Sequence, residues 1–423
     1  MSIVHVLGAG VIGLTTAYSL ARRGHSVVVV DQAIGPGVGG ASFRNGAQLS
    51  YAYADAMATP ALRRKLSKLI LGFDPSFRIK LDLSTDFVRW GLSFIRNSTK
   101  SRFDENTIAI LRLASESRAA MADLLSRHPL SFSHRRSAKA HLYVDAHAFG
   151  EAQKIVRLKK LYDVEQEVLS EDEVIQREPA LRAYNGKLVG AVWSPCDEVG
   201  DCHVFCCELA KVLVRDYDVK FNFETTVSGL QLYRGGLVAI STTSGEIAAK
   251  LAVVSLGSGS RVALGNVGIR TAIWPIQGYS ITLPVADMAP SASITDTAKK
   301  VVFCRLGERV RIAGLADIQG GQPSFQANRL QTLLEIARSV LPKAANYSAD
   351  PLPWTGTRPM TPSSQPFIGR CRWKGVYMNC GHGALGWTLA MGSAGRIARI
   401  IQTELYGDCL SRRRRAPQPE NGS

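Results

Sequence analysis

The feature that most constrains the fold of this chain is a glycine-rich unit at its N-terminus. Residues 3–7 form a short apolar, β-rich run that is typical of a buried parallel strand. The sequence Gly8-Ala-Gly10-Val-Ile-Gly13 follows at once, residues 14–23 are helix-like, and residues 26–30 form a second strand that precedes Asp31. Strand, glycines, helix, strand and acid in this order predict the βαβ unit of a dinucleotide-binding domain.

Each part of this unit has a physical reason. Gly8 permits a tight turn, Gly10 lets a pyrophosphate approach the backbone, and Gly13 lets the helix pack close to the strand. The helix N-terminus offers free N–H groups to the phosphates, and Asp31, 18 residues after Gly13, is placed to bind ribose hydroxyls. The unit alone does not choose between NAD and FAD, but its position at the extreme N-terminus favours FAD. We expect the nucleotide to be bound by Gly8, Gly10, Val11, Ile12, Gly13 and Asp31.

Composition narrows the class of protein. A chain of 423 residues, 46% hydrophobic and 20% charged, fits a folded protein of two structural units. Residues 3–21 are nearly uncharged and about as long as a membrane span, but their regularly spaced glycines and the lack of a preceding basic region favour the nucleotide unit over a signal peptide. The eight cysteines show no CxxC pair and no zinc spacing, so we expect free thiols and no metal site.

The formal net charge of +16 is compatible with nucleic acid, an anionic membrane or an acidic substrate as a partner. No zinc-finger spacing or RNP-type motif accompanies the charge, so we do not expect nucleic acid. Residues 61–102 hold ten Lys/Arg and three Asp/Glu among apolar residues. This composition is typical of a segment that contacts the surface of an anionic bilayer. It is equally typical of an ordinary pair of amphipathic helices whose charges lie in solvent. The arginine-rich segment 411–423 is expected to be a disordered basic tail.

Motifs far apart in the chain carry a resemblance to a known family. They are Ser42-Phe-Arg-Asn45-Gly-Ala-Gln48, Cys196-Asp-Glu-Val-Gly-Asp201-Cys-His-Val-Phe205, Pro275-Ile-Gln-Gly278-Tyr279-Ser280, Trp354-Thr-Gly-Thr-Arg358-Pro-Met-Thr361-Pro362 and Asn379-Cys-Gly381-His382-Gly383-Ala-Leu-Gly386-Trp387-Thr388. Together they resemble the D-amino-acid dehydrogenase branch of the glycine oxidase/D-amino-acid oxidase flavoprotein family, over nearly all of residues 1–405. The last two motifs are highly specific. In the first, which is usually SxxNAGQ, the Ala and Gly are transposed.

The resemblance implies an α/β (α+β) fold with FAD as the cofactor. A Rossmann-like FAD-binding domain would be discontinuous, from residues 1–55, 195–270 and 350–410. A substrate domain with an antiparallel sheet would comprise residues 56–194 and 271–349, with a helical insert at about 61–102. The spacing of apolar residues agrees with this fold. It favours strands at residues 279–283, 301–304 and 310–313, and helices at residues 329–341 and 385–404.

The resemblance also extends the FAD site beyond the N-terminal unit. Glycines near residue 382 would let the backbone approach the flavin, and the helix after them would aim its positive N-terminus at the flavin C2 carbonyl. Asn45 and Gln48 have polar tips suited to the flavin edge, although they could simply shape their loop. The additional FAD-binding residues that we expect are Ser42, Asn45, Gly46, Ala47, Gln48, Val227, Gly257, Gly381, Gly383, Leu385, Gly386, Trp387 and Thr388.

Arg358 is the candidate for binding a substrate carboxylate, because a guanidinium grips a carboxylate through two parallel hydrogen bonds. We expect it on a turn, with a structural ion pair as the alternative role. Ser363 and Ser364 replace the Asp-Gly that usually follows in the family, so this turn could differ.

Three further residues complete the expected catalytic set. Tyr279 and, more weakly, Tyr53 could assist the carboxylate or pack in the wall of the pocket. His382 could tune the flavin or cap a turn, but is not expected to act as a base. His141 stands where the family often has a small polar residue, and it could alter substrate preference.

Three functions follow from these residues. The first is oxidative deamination of small D-amino acids to 2-oxo acids and ammonia, with hydride transfer from Cα to flavin N5 and electrons passed to a quinone-type acceptor. The second is oxidation of a secondary amine such as D-hydroxyproline, sarcosine or an opine, for which Gln277, His141 and Ser363-Ser364 leave room. The third is a basic nucleic-acid or membrane-binding protein with a structural FAD. We expect a cytoplasmic protein, with a peripheral position on the cytoplasmic face of the inner membrane as the alternative; the sequence gives no oligomeric state.

Overall fold

The computed structural model describes residues 3–70, 72–80, 82–319 and 324–415. Its strands, in chain order, are β1 (Ile3–Leu7), β2 (Ser26–Val30), β3 (Gln48–Leu49), β4 (Phe77–Ile79), β5 (Lys139–Tyr143), β6 (Glu167–Leu169), β7 (Gly190–Ser194), β8 (Glu198–Val199), β9 (Lys220–Asn222), β10 (Val227–Tyr233), β11 (Gly236–Thr242), β12 (Gly245–Ala248), β13 (Ala252–Val254), β14 (Trp274–Pro284), β15 (Ser293–Asp296), β16 (Val301–Leu306), β17 (Arg309–Ile318), β18 (Leu352–Met360), β19 (Phe367–Arg370) and β20 (Val376–Cys380).

Helices cover the faces of the sheets. In chain order they are α1 (Val11–Ala21), α2 (Pro60–Ile70), α3 (Thr85–Asn97), α4 (Lys100–Arg127), α5 (Ala146–Lys160), α6 (Glu171–Arg177), α7 (Cys202–Tyr217), α8 (Ser260–Gly265), α9 (Ala327–Val340) and α10 (Gly386–Arg415). Single 3₁₀ turns occur at Pro179–Ala183, Gly257–Gly259 and Gly383–Leu385.

The N-terminal unit builds the centre of a six-stranded sheet with the order β19-β20-β13-β1-β2-β9. β1 pairs in parallel with both β2 and β13, and only the edge strand β19 is antiparallel. The sheet is buried against α1, α4, α7 and α10 on one side and a three-stranded meander, β10-β11-β12, on the other. The predicted strand–helix–strand order is present, with the helix beginning at Val11 rather than at residue 14.

A nine-stranded sheet forms the second layer, with the order β18-β14-β17-β16-β15-β5-β7-β6 and β4 added beside β17. Its pairs are antiparallel except β15 with β5 and β17 with β4, so the sheet is mixed rather than purely antiparallel as expected. The predicted strands at 279–283, 301–304 and 310–313 are the central parts of β14, β16 and β17. α9 covers one face of this sheet and closes a second hydrophobic core.

Two segments lie outside the domain in which we expected them. β18, expected in the FAD domain, is the edge strand of the nine-stranded sheet because it pairs with β14 along nine residues. α4, expected in the substrate domain, packs its apolar face against α10 and belongs to the core beside the six-stranded sheet. The packing partners of both segments are more than 50 residues away in the chain, so local sequence patterns do not assign either segment to a domain.

The helical insert expected at about 61–102 consists of α2, β4, α3 and the start of α4. α10 continues to Arg415, so residues 411–415, expected in a disordered tail, extend the final helix. Arginine is a good helix former, which is compatible with this extension. Residues 416–423 lie outside the described residues.

Candidate active site

A deep cleft of about 1010 Å³ runs between the two sheets. Its walls come from the loop after β1, the loop after β2, the 3₁₀ turn after β13, the faces of β14, β17 and β18, and the turn before α10. The volume is at the upper end of the range of about 300–1,000 Å³ that is usual for ligand pockets. The cleft can therefore hold a dinucleotide-sized cofactor together with a small substrate.

Most of the residues expected to bind FAD line this cleft. They are Gly8, Gly10, Val11, Ile12, Asp31, Ser42, Asn45, Gly46, Ala47, Gln48, Val227, Gly257, Gly381, Gly383, Gly386 and Trp387. Three others do not contribute to its walls. Gly13 packs against the Gly8 carbonyl group, where a Cβ would lie 2.8 Å from the carbonyl carbon. Leu385 packs on the core beside the six-stranded sheet, and the Thr388 hydroxyl accepts a hydrogen bond from the Ser50 N–H at 2.9 Å.

The nucleotide end of the cleft is held by side-chain to backbone hydrogen bonds. The Asp31 carboxylate accepts the Ala9 N–H at 2.5 Å and the Ala33 N–H at 2.7 Å. The Ser42 hydroxyl accepts the N–H of Val11 at 2.9 Å, at the first turn of α1. This first turn faces the cleft, so its partial positive charge is available to an anionic group.

The transposed Gly46-Ala47 pair has a visible backbone consequence. Ala47 adopts a left-handed φ of 58°, a conformation in which glycine is favoured, whereas Gly46 does not. The Asn45 side-chain oxygen accepts the Ala47 N–H at 3.0 Å, and the Ala47 methyl is buried against Val199 and Cys304. Asn45 therefore stabilises its own loop in addition to lining the cleft.

Arg358 lies in the cleft wall on β18, not on a turn as expected, because β18 continues through it to Met360. Its guanidinium crosses Gly278 on the neighbouring strand, where a Cβ would lie 2.5 Å from the Arg358 Cζ atom. It then donates to the Leu315 carbonyl oxygen at 3.3 Å. Among the described residues Arg358 has no ion pair, so the alternative structural pairing is not observed.

Two other cations line the same cleft, and both are neutralised by partners. Arg261 donates to Asp86 at 2.7 Å, and Lys300 is paired with Asp74. Burial lowers the pKa of Arg358, and the nearby charge of Asp317 opposes this effect. Because a guanidinium keeps its proton at any ordinary pH, Arg358 is a charged group within the cleft with unused hydrogen-bonding capacity.

Tyr279 lines the cleft but its hydroxyl is committed elsewhere. The hydroxyl donates to the Asp317 carboxylate at 2.6 Å, and Asp317 is also paired with Arg329 of α9 at 2.6 Å. Burial and this carboxylate raise the pKa of Tyr279. The arrangement favours the pocket-wall role for Tyr279 over direct contact with a carboxylate.

Tyr53 and His141 lie behind the cleft and are not among its lining residues. Their rings stack at an interplanar angle of 11°, and the Tyr53 hydroxyl lies 3.4 Å from that of Tyr143. Burial lowers the pKa of His141 well below its usual value, assisted by nearby Lys139 and Lys159. Neither ring lies in the cleft wall where a role toward substrate was expected, because β5 directs the His141 side chain into the interior and the Tyr53 ring stacks on it there.

His382 is buried in the cleft wall, and its side chain does not cap the following turn. Burial lowers its pKa to about 3, so the imidazole is neutral at physiological pH. Its Nε2 atom has no hydrogen-bond partner among the described residues. Buried polar atoms are rarely left unpaired, which makes this nitrogen available to a bound group.

The other departures from the family pattern also lie outside the lining of the cleft. Gln277 is saturated by hydrogen bonds to Ser324, Thr355 and Gln319. Ser363 and Ser364 accept backbone N–H groups of Gln365 and Met57. None of these side chains lines the cleft, so they give no structural support for an altered substrate.

Several lining residues were not anticipated from the sequence. Ser255, Trp274 and Asn379 each carry a buried side-chain polar atom without a partner among the described residues. Lys300, Phe77 and Val302 form the wall on the side of the nine-stranded sheet. Asn379 begins the recognised motif before Gly381 and could have been included on that basis, whereas the other five carry no local sequence signal.

Fold and cleft together define a flavoprotein oxidoreductase. A family model described as FAD dependent oxidoreductase matches residues 4–400, so the chain belongs to that family and uses FAD. Within it, the chain is 39% identical over 408 residues to D-amino acid dehydrogenase 2 of Ralstonia nicotianae, covering 94% of this chain and 96% of the relative. It is 34% identical over 400 residues to D-amino acid dehydrogenase of Vibrio cholerae serotype O1, covering 94% of each chain.

Solved structures support the same fold. Glycine oxidase from Bacillus cereus has a TM-score of 0.69 at 19% identity, with 96% of each chain covered. L-proline dehydrogenase from P. horikoshii has a TM-score of 0.72 at 17% identity, covering 95% of this chain and 94% of that one. At these identities the comparison concerns the fold.

The cleft residues fit FAD. The first turn of α1 suits the pyrophosphate, and the unpartnered polar atoms of Ser255, Asn379 and His382 provide donors and acceptors along one wall. Within residues 3–415, apart from those not described, no cluster of three or more metal-ligating side chains occurs. No helix in the same part of the chain has the length and apolarity needed to cross a membrane.

Proposed function

We propose that this protein oxidises small D-amino acids to 2-oxo acids and ammonia, with FAD accepting the hydride from the substrate Cα. The observation that carries this proposal is the Arg358 guanidinium in the wall of an FAD-sized cleft, where it has no ion pair with any residue that the structure describes. The names of the relatives from Ralstonia nicotianae and Vibrio cholerae support the choice of D-amino acids.

The energetic argument for a carboxylate ligand follows from burial. Removing a charged group from water without a partner costs several kcal/mol. Arg358 is largely removed from water, and its guanidinium makes one long hydrogen bond, to the Leu315 carbonyl oxygen. A substrate carboxylate that makes two charge-assisted hydrogen bonds would recover this cost and fix the orientation of the substrate. Arg261 and Lys300 offer less, because each already has a carboxylate partner.

The remaining task of the protein is to position rather than to exchange protons. Neutral His382 adds no charge beside the cofactor, and Tyr279 keeps its proton, which its hydroxyl donates in a hydrogen bond to the Asp317 carboxylate. FAD supplies the redox chemistry. The chain would therefore anchor the acid group of the substrate at Arg358, and a substrate with a neutral amine would need no protein base to release its hydride. Water would then hydrolyse the resulting imine to the 2-oxo acid and ammonia.

Anaerobic reduction of the bound flavin tests the substrate class. D-Alanine should bleach the flavin absorbance and L-alanine should not, and the product solution should contain pyruvate and ammonia. Bleaching by neither enantiomer of alanine and by no other D-amino acid would refute the proposal. Faster bleaching by D-proline or sarcosine than by D-alanine would favour the secondary-amine alternative, for which Gln277, His141 and Ser363 supply no cleft contact.

We also propose that electrons leave through a quinone-type acceptor at the cytoplasmic face of a membrane. α3 supports this proposal, since Val88 and Leu92 are exposed by 46% and 65% beside Arg89 and Arg96. Its Trp90 indole is buried and donates to the Met360 carbonyl oxygen at 2.9 Å, and Met360 forms an isolated antiparallel bridge with His382. An exposed apolar face with flanking arginines suits an anionic bilayer.

Sedimentation with vesicles tests this surface. The protein should pellet with phosphatidylglycerol vesicles and less with phosphatidylcholine vesicles, and Leu92→Ser should weaken the binding. Leu161→Ser is the matched control, because Leu161 is 78% exposed and lies away from α3 after α5. Equal binding of both variants and the unchanged protein would remove α3 as the contact.

The third hypothesis, a binding protein with a structural FAD, gains no support from a family of oxidoreductases.

A further inference from the structure

Behind the cleft wall lies a group of four ionisable side chains that the proposed reaction does not use, here called the buried charge cluster: Asp55, Lys139, Lys159 and Asp197. Lys139, Lys159 and Asp197 are at most 4% exposed. Buried charges are costly unless they are paired. The Lys159 ammonium meets this requirement, since it lies 2.6 Å from the Asp55 carboxylate and donates to the Ala52 carbonyl oxygen at 3.0 Å.

Lys139 is placed differently. Among the described residues it has no ion pair, and its ammonium donates instead to the Gln48 side-chain oxygen at 3.1 Å and to the Ser50 hydroxyl at 2.8 Å. Burial lowers its pKa to about 8, and the charge of Asp197 is the largest opposing influence. One Asp197 oxygen accepts the Ala52 N–H at 2.7 Å, while the other has no hydrogen-bond partner in the described part of the chain.

The contact with Gln48 links Lys139 to the cleft. An ammonium can only donate, so the Gln48 amide oxygen must face Lys139 and its nitrogen must face away. That nitrogen donates to the Ser293 hydroxyl at 2.6 Å, and Gln48 lines the cleft. The other partner, Ser50, donates its N–H to Thr388 in the first turn of α10. Lys139 therefore holds β3 and orients an amide at the edge of the FAD site.

We propose that Lys139 is a positioning residue for the FAD site: it fixes the Gln48 amide and keeps a positive charge one side chain behind the cleft wall, where that charge favours the reduced state of the bound cofactor. Reduction adds negative charge within the cleft, and a cation at short range in a poorly hydrated interior attracts it strongly. The inference rests on FAD binding and does not depend on which amine is the substrate.

The direction of the pH effect follows from the groups around Lys139. Asp55 and Asp197 favour its charged form and Lys159 opposes it. Burial raises the pKa of Asp197 to about 6 and that of Cys304 to about 11, and it keeps His141 neutral and Tyr53 protonated. Among the groups with a shifted pKa, Lys139 is therefore the one that changes charge near pH 8. Reduction of the cofactor should make Lys139 hold its proton more tightly, so proton uptake accompanies reduction above that pH.

The test is the midpoint potential of the bound FAD, measured anaerobically without substrate against a reference dye on both sides of pH 8. Lys139→Met should have a lower potential than the unchanged protein at pH 7, and the difference should shrink as the pH rises and Lys139 loses its proton in the unchanged protein. Lys154→Met is the control, since it removes an exposed lysine from α5. It should leave the potential unchanged at every pH.

A second variant keeps the test decisive if the single substitution prevents folding. Lys139→Met combined with Asp197→Asn removes Lys139 together with the carboxylate that favours its charged form, and its potential should likewise lack the contribution that Lys139 titration makes near pH 8. Melting temperature and FAD content are recorded for each variant, because a purely structural role would lower these without altering how the potential varies with pH. Identical potential-versus-pH curves for the unchanged protein and for either folded Lys139 variant would overturn the proposal.

Discussion

The substitution Gly278→Ala should displace Arg358 while leaving the fold intact. A methyl group at position 278 would lie 2.5 Å from the Arg358 Cζ atom and 3.0 Å from its Nε atom. Comfortable contact requires about 3.5 Å, so the guanidinium must move by about 1 Å. The atoms in the way belong to the end of a flexible side chain, and Gly278 has no left-handed φ. The backbone therefore accepts alanine and the arginine gives way.

The size of the kinetic effect follows from that displacement. A shift of about 1 Å in a substrate-positioning group can reduce the rate about 100-fold, equivalent to about 2.7 kcal/mol in transition-state stabilisation. We expect kcat/KM for D-alanine, measured with an artificial electron acceptor, to fall by about this factor in Gly278→Ala. The FAD content and the melting temperature should change little.

Gly150→Ala is the matched control for this prediction. A Cβ at Gly150 meets no atom within 4 Å, and the residue lies on α5 away from the cleft. Its kcat/KM should equal that of the unchanged protein. If Gly278→Ala retained full kcat/KM with FAD bound, the position of the Arg358 guanidinium would be irrelevant to the reaction, and the carboxylate role assigned to it would be refuted.

Two further predictions concern stability and cofactor retention. Burial raises the pKa of Asp197 from 3.8 to about 6. Between these pH values the folded state holds a proton that the unfolded state has released. The free energy of unfolding therefore falls by about 3 kcal/mol as the pH rises through this range. The melting temperature of Asp197→Asn should therefore exceed that of the unchanged protein increasingly from pH 4 to pH 6; parallel curves would contradict this. Gly381 has a φ of 80°, and a Cβ there would lie 2.8 Å from Thr361. Gly381→Ala should cost about 1–2 kcal/mol in backbone strain and lose FAD during gel filtration, and full FAD retention would argue against a close approach.

The sequence predicts the nucleotide half of the site because its signals are local. The strand, glycines and helix of residues 3–30 are neighbours in the chain, and the structure keeps them adjacent in space. The Gly381-His382-Gly383 turn is equally local, since the glycines and the following helix occur together. For the same reason, most of the residues expected to bind FAD do line the cleft.

The substrate half is harder to predict because it depends on strand register. Arg358 reaches the cleft only because β18 pairs with β14 and places it beside the bare backbone of Gly278. Tyr279 lines the cleft, yet its hydroxyl is taken by Asp317, 38 residues away. Tyr53 is a weaker candidate for assisting the carboxylate or walling the pocket, and its ring stacks on His141 behind the wall. No periodicity within one segment reports these long-range pairings.

The most direct test of the central claim is the dependence of the anaerobic flavin reduction rate on D-alanine concentration, compared between the unchanged protein and Arg358→Lys. The lysine keeps the charge but loses the two parallel hydrogen bonds, a loss of about 1.5–3 kcal/mol. The substrate dissociation constant should therefore rise about 10- to 150-fold, while bound FAD is retained. An unchanged dissociation constant would contradict the account, because the carboxylate would then be anchored elsewhere.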